Sequence, residues 1–587
     1  LVVAALCLTS LAVGLVFTRR AGRHGASGYF TGNRSLSWWA IGLSNTATYQ
    51  SGNGAFVMLV LVFGLSGNWM WWASWIIWMP LVAIVWAGMW RRIQIVTTAE
   101  LITLRYGGKS ALLARKVYAL LGFGYAVIII SYITGFFAKT VAPLLPLSEA
   151  QILLVFGGVT ALYTVFGGLI GVVFTDVLQF FILFIGNFIF LLIAIPQQGG
   201  WQAIAERVQI HRPEALQQFP PTSLIPALTV AMLVLQGFFF AGSPTAGEGM
   251  TAQRFMGARS ERHAMGGQLF NAFLALSLRT IPLIGLGVVA LSLFWTKDLI
   301  GQVGNPPPGF RLIQDPAYAW GELVNLSRLP AGFRGILVAA EAAAFMSTLS
   351  ALINWGSSFI INDFYRPLRP RASPGSQVLV SRLTTLFLFI LAAFVAVFYV
   401  KGMVSWFLFI NSVMVIFILP LSWLRFFWWR FNVWGELSAT ILGLPLSILL
   451  WFILGFQHKP FWQSTGLLFL LSIILLTAVS LLTPPESEKT LVRFYERCRP
   501  PGLWRRVRLR ADPSLPSGPS LGYLVLNCFL GIASCLSLVV MTNSFFAGQR
   551  VLFGIGAFGF GLFGYGLIKR VLKQGTVKGE QSAVHSE

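Results

Sequence analysis

The sequence predicts an all-α polytopic membrane protein that crosses a bilayer about fifteen times. Three observations predict this. Of 587 residues, 56% are hydrophobic and 10% are charged, whereas soluble domains carry roughly 25% charged residues. Apolar runs bounded by Gly, Pro or charged clusters recur along the whole chain, many of them near the ~20 residues that one crossing requires. The formal net charge of +23 comes from 42 Lys and Arg against 19 Asp and Glu, and the basic residues lie mostly between the runs. This composition excludes a soluble enzyme, a nucleic-acid-binding domain and a disordered scaffold.

The runs fall near 1–17, 38–65, 68–90, 117–146, 149–168, 170–196, 223–256, 264–296, 331–362, 377–400, 402–424, 436–457, 462–483, 521–543 and 550–568. The first is read as a span rather than the tail of a signal peptide, because no small-residue cleavage site precedes a polar region. When the segment after residue 17 is placed inside and the sides alternate, 31 Lys and Arg lie on inner segments and 10 on outer ones, with Arg279 left in mid-membrane. Basic residues collect on the cytoplasmic side, so the C-terminus is expected in the cytoplasm and the protein in an inner cell membrane. In this count Arg254, Arg105 and Arg425 are inner-loop charges.

Two loops are long. Residues 297–330 contain Pro306, Pro307 and Pro308 and read as an outer lid. Residues 484–520 carry eight basic residues and read as an inner topology signal and a tether to anionic lipid head groups. The four cysteines, Cys7, Cys498, Cys528 and Cys535, make no disulfide framework and read as inert thiols. The tryptophans of the second core span, Trp69, Trp71, Trp72, Trp75 and Trp78, read as interfacial belt and packing, with a stacking wall for a sugar ring as the alternative.

Two spans are interrupted. The first core span contains Thr48-Tyr49-Gln50-Ser51-Gly52-Asn53-Gly54, and the sixth contains Ala241-Gly242-Ser243-Pro244-Thr245-Ala246-Gly247-Glu248-Gly249. Gly and Pro break the backbone hydrogen-bond ladder, and hydrocarbon cannot satisfy the freed peptide groups. Breaks five spans apart point to an inverted-repeat transporter with a midplane site, or else to two packing kinks. Ionisable residues within the apolar runs are few: Asp176, Glu248, Arg279 and Glu341. Each is costly to bury and is therefore a functional candidate. Ser347, Thr348 and Ser350 follow Ala344 by about one helical turn. Their hydroxyls with its carbonyl would suit a desolvated alkali cation, or would simply back-bond to the preceding turn.

Four stretches over about residues 28–430 resemble the sodium/solute symporter family, which includes sodium/galactose, proline and sialic acid symporters. They are Gly28–Leu36 with Trp38-Trp39; Tyr163–Leu169 with Thr175-Asp176-Val177-Leu178-Gln179; Gln253-Arg254; and Ala344–Ser350 followed by Asn354, Ser357, Ser358, Asp363 and Tyr365. The resemblance implies a leucine-transporter-like fold of two inverted five-helix repeats, here residues 28–196 and 197–430. Residues 1–27 are then an accessory first span and linker, and 431–587 accessory C-terminal spans. It implies a secondary active transporter that couples sodium influx to uptake of a small organic solute by alternating access, with no enzymatic activity. It implies sodium ligands at Ala47, Gln50, Ala344, Ser347 and Thr348, and a second sodium site or exit route at Ser51, Asp176 and Ser350. Ala351 stands where that second site expects another hydroxyl. Solute-binding candidates are Asn53, Glu248, Arg279 and Asn411. Arg279 would hold an anionic substrate bidentately, or pair with Glu248 or with carbonyls. The partners expected are sodium, a small-molecule solute and the lipid bilayer, without nucleic acid. Proton coupling through Asp176 or Glu341, and a transporter-like solute sensor, are the alternatives.

Overall fold

Long apolar runs that can satisfy their own backbone only as helices do form helices. A computed structural model describes residues 1–22, 25–48, 54–219, 222, 226–240, 249–294, 315–399, 421–456, 459–516 and 518–573. Among the described residues there is no named strand, only two isolated bridges, Leu36 to Ala258 and Trp428 to Leu503. Among the described residues, ten helical segments are long and apolar enough to cross a membrane: Leu65–Ile93, Gly108–Leu144, Glu149–Gln197, Glu261–Leu293, Ala331–Leu368, Pro374–Tyr399, Val433–Ile453, Trp462–Leu482, Leu521–Phe546 and Arg550–Val571. Three shorter apolar helices, Val2–Phe17, Gly54–Phe63 and Ala227–Phe239, lie where the sequence places further spans. The two expected runs at 149–168 and 170–196 are two helices that meet directly at a kink at Gly168, whose φ of 54° and ψ of −161° are non-helical. Glycine tolerates this conformation because it lacks a Cβ.

The first core span is described as Trp38–Thr48 and Gly54–Phe63. The sixth is described as Ala227–Phe240 and Met250–Met256. The breaks themselves, at 49–53 and 241–248, lie outside the described residues. So do most of the expected span at 402–424 and residues 297–314 of the expected lid. The described end of that lid, Ala317 to Trp320, is buried against the protein, and Asp315 bonds Lys139 at 2.8 Å.

Three readings of the sequence need correction. Trp72 and Trp78 are fully buried, and Trp69 and Trp71 nearly so. They form a packed core and not a belt, because the 65–93 helix runs through the protein interior. Arg254, Arg105 and Arg425 are fully buried, so they are not solvated loop charges. Arg425 pairs with Glu436 at 2.5 Å. Arg105 donates to the carbonyls of Arg425, Trp428, Trp429 and Phe431. Finally, the 484–520 segment is more than an exposed loop, because it is folded onto the protein. Its Glu488–Cys498 helix buries Thr490, Leu491, Phe494, Tyr495 and Cys498, one side of a helix. Glu486 accepts from the backbone N–H groups of Gly107 and Val433.

Candidate functional site

The site begins with the spacing of hydroxyls on the Trp38–Thr48 helix. Ser44 and Thr48 are four residues apart and so share a face, and everything from Ala40 to Thr48 is buried. The Thr48 hydroxyl donates to the Ser44 carbonyl at 2.6 Å. A second face meets the Glu261–Leu276 helix through Thr46 to Asn271 at 3.0 Å and Asn45 to Gln268 at 3.5 Å. The two helices approach closely because Gly267 faces Ile41, where an added Cβ would lie 2.7 Å from the Ile41 side chain.

Four elements converge on Asp176. Its Oδ2 accepts from the Ser44 hydroxyl at 2.5 Å and from Arg254 Nη2 at 3.0 Å. Its Oδ1 accepts from the Ser347 hydroxyl at 2.6 Å. Arg254 also donates through Nε to Ser44 at 2.6 Å, through Nη2 to Thr48 at 2.7 Å and through Nη1 to the Met250 carbonyl at 3.1 Å. Asp176, Arg254, Ser44 and Ser347 are all fully buried. Of the three groups around the carboxyl, Arg254 is an obligate donor and brings the countercharge, while the two hydroxyls can donate as well. An ion pair that saturates its own lone pairs and protons in this way is the arrangement that tolerates burial. Tyr163 donates to the Met346 carbonyl at 2.9 Å, tying the 149–197 helix to the 331–368 helix beside the cluster.

Of the sodium ligands that the sequence names, Ala47, Ala344, Ser347 and Thr348 are described and all four are buried. Thr348 donates to the Ala344 carbonyl at 3.1 Å, so two of them touch. Ser347 is joined to Asp176, as above. Ser350 donates back to the Ser347 carbonyl at 3.0 Å, the local bond that helical serines commonly make. Gln50, Ser51, Asn53, Glu248 and Asn411 lie outside the described residues. Sequence reasoning missed Ser44, Thr48 and the pairing of Arg254. The available signals were the four-residue hydroxyl spacing and the place of Arg254 only five residues after the 241–249 break.

Arg279 belongs to no part of this cluster. It stands between the helices Glu261–Leu276 and Thr280–Leu293, next to the non-helical turn at Ser277 (φ −128°, ψ −90°). The side chain is fully buried, and its three guanidinium nitrogens have no hydrogen-bond partner among the described residues. The guanidinium carbon lies 5.0 Å from the centre of the Phe56 ring, within cation–π range. Glu341, also fully buried, is within electrostatic reach.

A family model described as the sodium:solute symporter family matches residues 29–443. The sodium/glucose cotransporter 4 of Danio rerio is 26% identical over 568 residues, covering 87% of this chain and 82% of its own. The sodium/mannose cotransporter of Bos taurus is 28% identical over 523 residues, covering 81% and 85%. Among solved structures, the substrate-bound outward-open state of a Na+-coupled sialic acid symporter superposes with a TM-score of 0.67 at 19% identity, covering 83% of this chain and 98% of the other. That likeness establishes the leucine-transporter-like architecture of the core. With the match extending over most of its length, the chain belongs to the sodium:solute symporter family, a multi-pass membrane protein for sodium-coupled solute uptake.

Proposed function

We propose that this chain imports its solute by alternating access, with one sodium ion held between the Trp38–Thr48 helix and the 331–368 helix. The ligands would be the carbonyls of Ala47, Gln50 and Ala344 and the hydroxyls of Ser347 and Thr348. The observation that carries the reading is the place of the Ser347 hydroxyl. Its oxygen lies 2.6 Å from Asp176 Oδ1, and with the buried Thr348 and Ala344 oxygens one turn apart it gathers hard oxygens in one place, as an alkali cation requires. Sodium would then fasten the broken first core span to the 331–368 helix. Its free energy is linked to solute binding because both ligands favour the same closed arrangement. Ser51, Asp176 and Ser350 would form a second sodium site or the path by which sodium leaves.

The solute would meet Arg279 and Glu341 together with Asn53, Glu248 and Asn411. A guanidinium with no hydrogen-bond partner among the described residues, within electrostatic reach of a carboxylate, would offer donors to a hydroxyl-rich molecule. Relatives described as glucose, mannose and myo-inositol cotransporters support a polyhydroxylated solute. The excess of basic residues on alternate loops supports an inner cell membrane with the C-terminus in the cytoplasm. The chain would act as a transporter without catalysing a reaction on its solute. Proton coupling through Asp176 is the weaker reading, because the Arg254 guanidinium 3.0 Å away favours the charged carboxylate. The test is accumulation of labelled glucose, mannose and myo-inositol in proteoliposomes. Uptake that rises with an inward sodium gradient supports the proposal; uptake that follows a pH gradient without sodium overturns it.

A further inference from the structure

The 484–520 segment presents two unlike faces. Toward the protein it is fastened by backbone as well as side chains. Arg92 donates to the Cys498 carbonyl at 2.9 Å, the Trp504 indole N–H donates to the Phe426 carbonyl at 2.7 Å, and the Leu503 N–H donates to the Phe427 carbonyl at 2.7 Å. Trp504, Val507 and Ala511 are buried beneath it. Away from the protein the same turn exposes Arg505, Arg506, Arg508 and Arg510, and between them Leu503 at 66% and Leu509 at 78%.

The protein meets only part of that outer face, through Arg510 and Arg506. The acidic residues of the segment are largely committed elsewhere. Glu486 caps Gly107 and Val433, Glu496 accepts from the Asp512 N–H, and Glu488 pairs with Arg510. Arg506 lies over the Trp429 ring. Among the described residues, Arg505 and Arg508 make no ion pair. Two leucines held outward among cations would be poor surface for water. They are good surface for the boundary between head groups and acyl chains, where leucine side chains enter and guanidinium groups stay with phosphate.

The chain itself holds this face near that boundary. The segment leaves a span at Leu481 and Leu482, 56% and 85% exposed, and enters the next at Leu521, 64% exposed. Loop and bilayer surface are therefore neighbours by connectivity. We propose that residues 503–510 are a binding surface for anionic phospholipid head groups, with Arg505, Arg506 and Arg508 on the phosphates and Leu503 and Leu509 in the outer acyl layer. The proposal rests on the membrane architecture and not on the sodium reading. Because this turn is bonded to the carbonyls of Phe426 and Phe427, a lipid that holds it also steadies the end of the tenth core span.

The experiment labels Leu509→Cys with bimane in a Cys7→Ser background and reconstitutes the protein in liposomes. Brominated phosphatidylglycerol is compared with brominated phosphatidylcholine at equal mole fraction. The proposal expects about twofold or greater quenching by the anionic lipid. It expects this excess to vanish in R505Q/R506Q/R508Q and to persist in R505K/R506K/R508K. The lysine variant keeps the test open if the glutamine variant fails to fold. Equal quenching by both lipids, no quenching by either, an excess that survives the glutamine changes, or one lost in the lysine variant would each overturn it. The absence of all quenching would assign the face to water or to a soluble acidic partner.

Discussion

Arg254 and Asp176, 78 residues apart in sequence, meet at 3.0 Å with both side chains wholly buried. Their contact joins the Met250–Met256 helix to the helix that carries Thr175-Asp176-Val177-Leu178-Gln179. Ser44, Thr48, Ser347 and the Met250 carbonyl fill the remaining hydrogen-bond positions. The pair therefore knits both halves of the core where sodium is proposed to bind.

Removing one partner leaves the other as an uncompensated buried charge. Asp176→Asn is expected to cost about 3–5 kcal/mol of stability, and Arg254→Gln a similar amount. The double variant should lose clearly less than the sum of the two. Denaturation of the purified variants in detergent measures this, and strict additivity would refute the coupling.

Arg279 is expected to act on the solute and not on sodium. Arg279→Gln should raise the KM for solute about tenfold, the value of one hydrogen bond to a charged group. The sodium half-saturation should stay within about twofold. A rise in sodium half-saturation with an unchanged solute KM would assign Arg279 to the ion path instead. Initial uptake rates across both concentrations separate the two.

Close helix contact fixes the floor of this region. A Cβ at Gly287 would lie 2.6 Å from Val60 Cβ, between the Thr280–Leu293 and Gly54–Phe63 helices. Overpacking of this kind costs typically 1–3 kcal/mol, so Gly287→Ala should lower the melting temperature. Adding Val60→Ala should restore part of the loss. No effect of Gly287→Ala would mean that the two helices are farther apart.

Cys498 reports on the docked loop. Burial pushes its thiol up to about 12, against a smaller opposing pull from Arg92 and Arg105. Thiolate is the reactive form. Maleimide at pH 8 should therefore leave Cys498 unmodified in the folded protein and label it after denaturation. Rapid labelling of the folded protein, located by peptide mass, would show that the loop is undocked.

Much of this was legible before any coordinates. Long apolar runs read as helices because a bilayer leaves the backbone few other choices, and Asp176 stood out because charge is scarce there. Arg254 was misread because an arginine near a helix end looks the same in sequence whether it faces water or a carboxylate 78 residues away. For the tryptophans of 69–78 the packing part of the reading holds and the belt part does not, since tryptophan serves both interfaces and cores. The docking of the 484–520 loop uses the carbonyls of Phe426 and Phe427, which carry no side-chain signature.

The central claim is that sodium sits between Ala47 and the Ala344, Ser347 and Thr348 group. Sodium activation of uptake by Ser347→Ala/Thr348→Ala in proteoliposomes tests it most directly. Each lost hydroxyl removes an oxygen from a cation, so the half-saturating sodium concentration should rise at least about tenfold, or sodium dependence should disappear, in a protein that still melts cooperatively. A sodium activation curve that coincides with that of the unmodified chain would contradict the account.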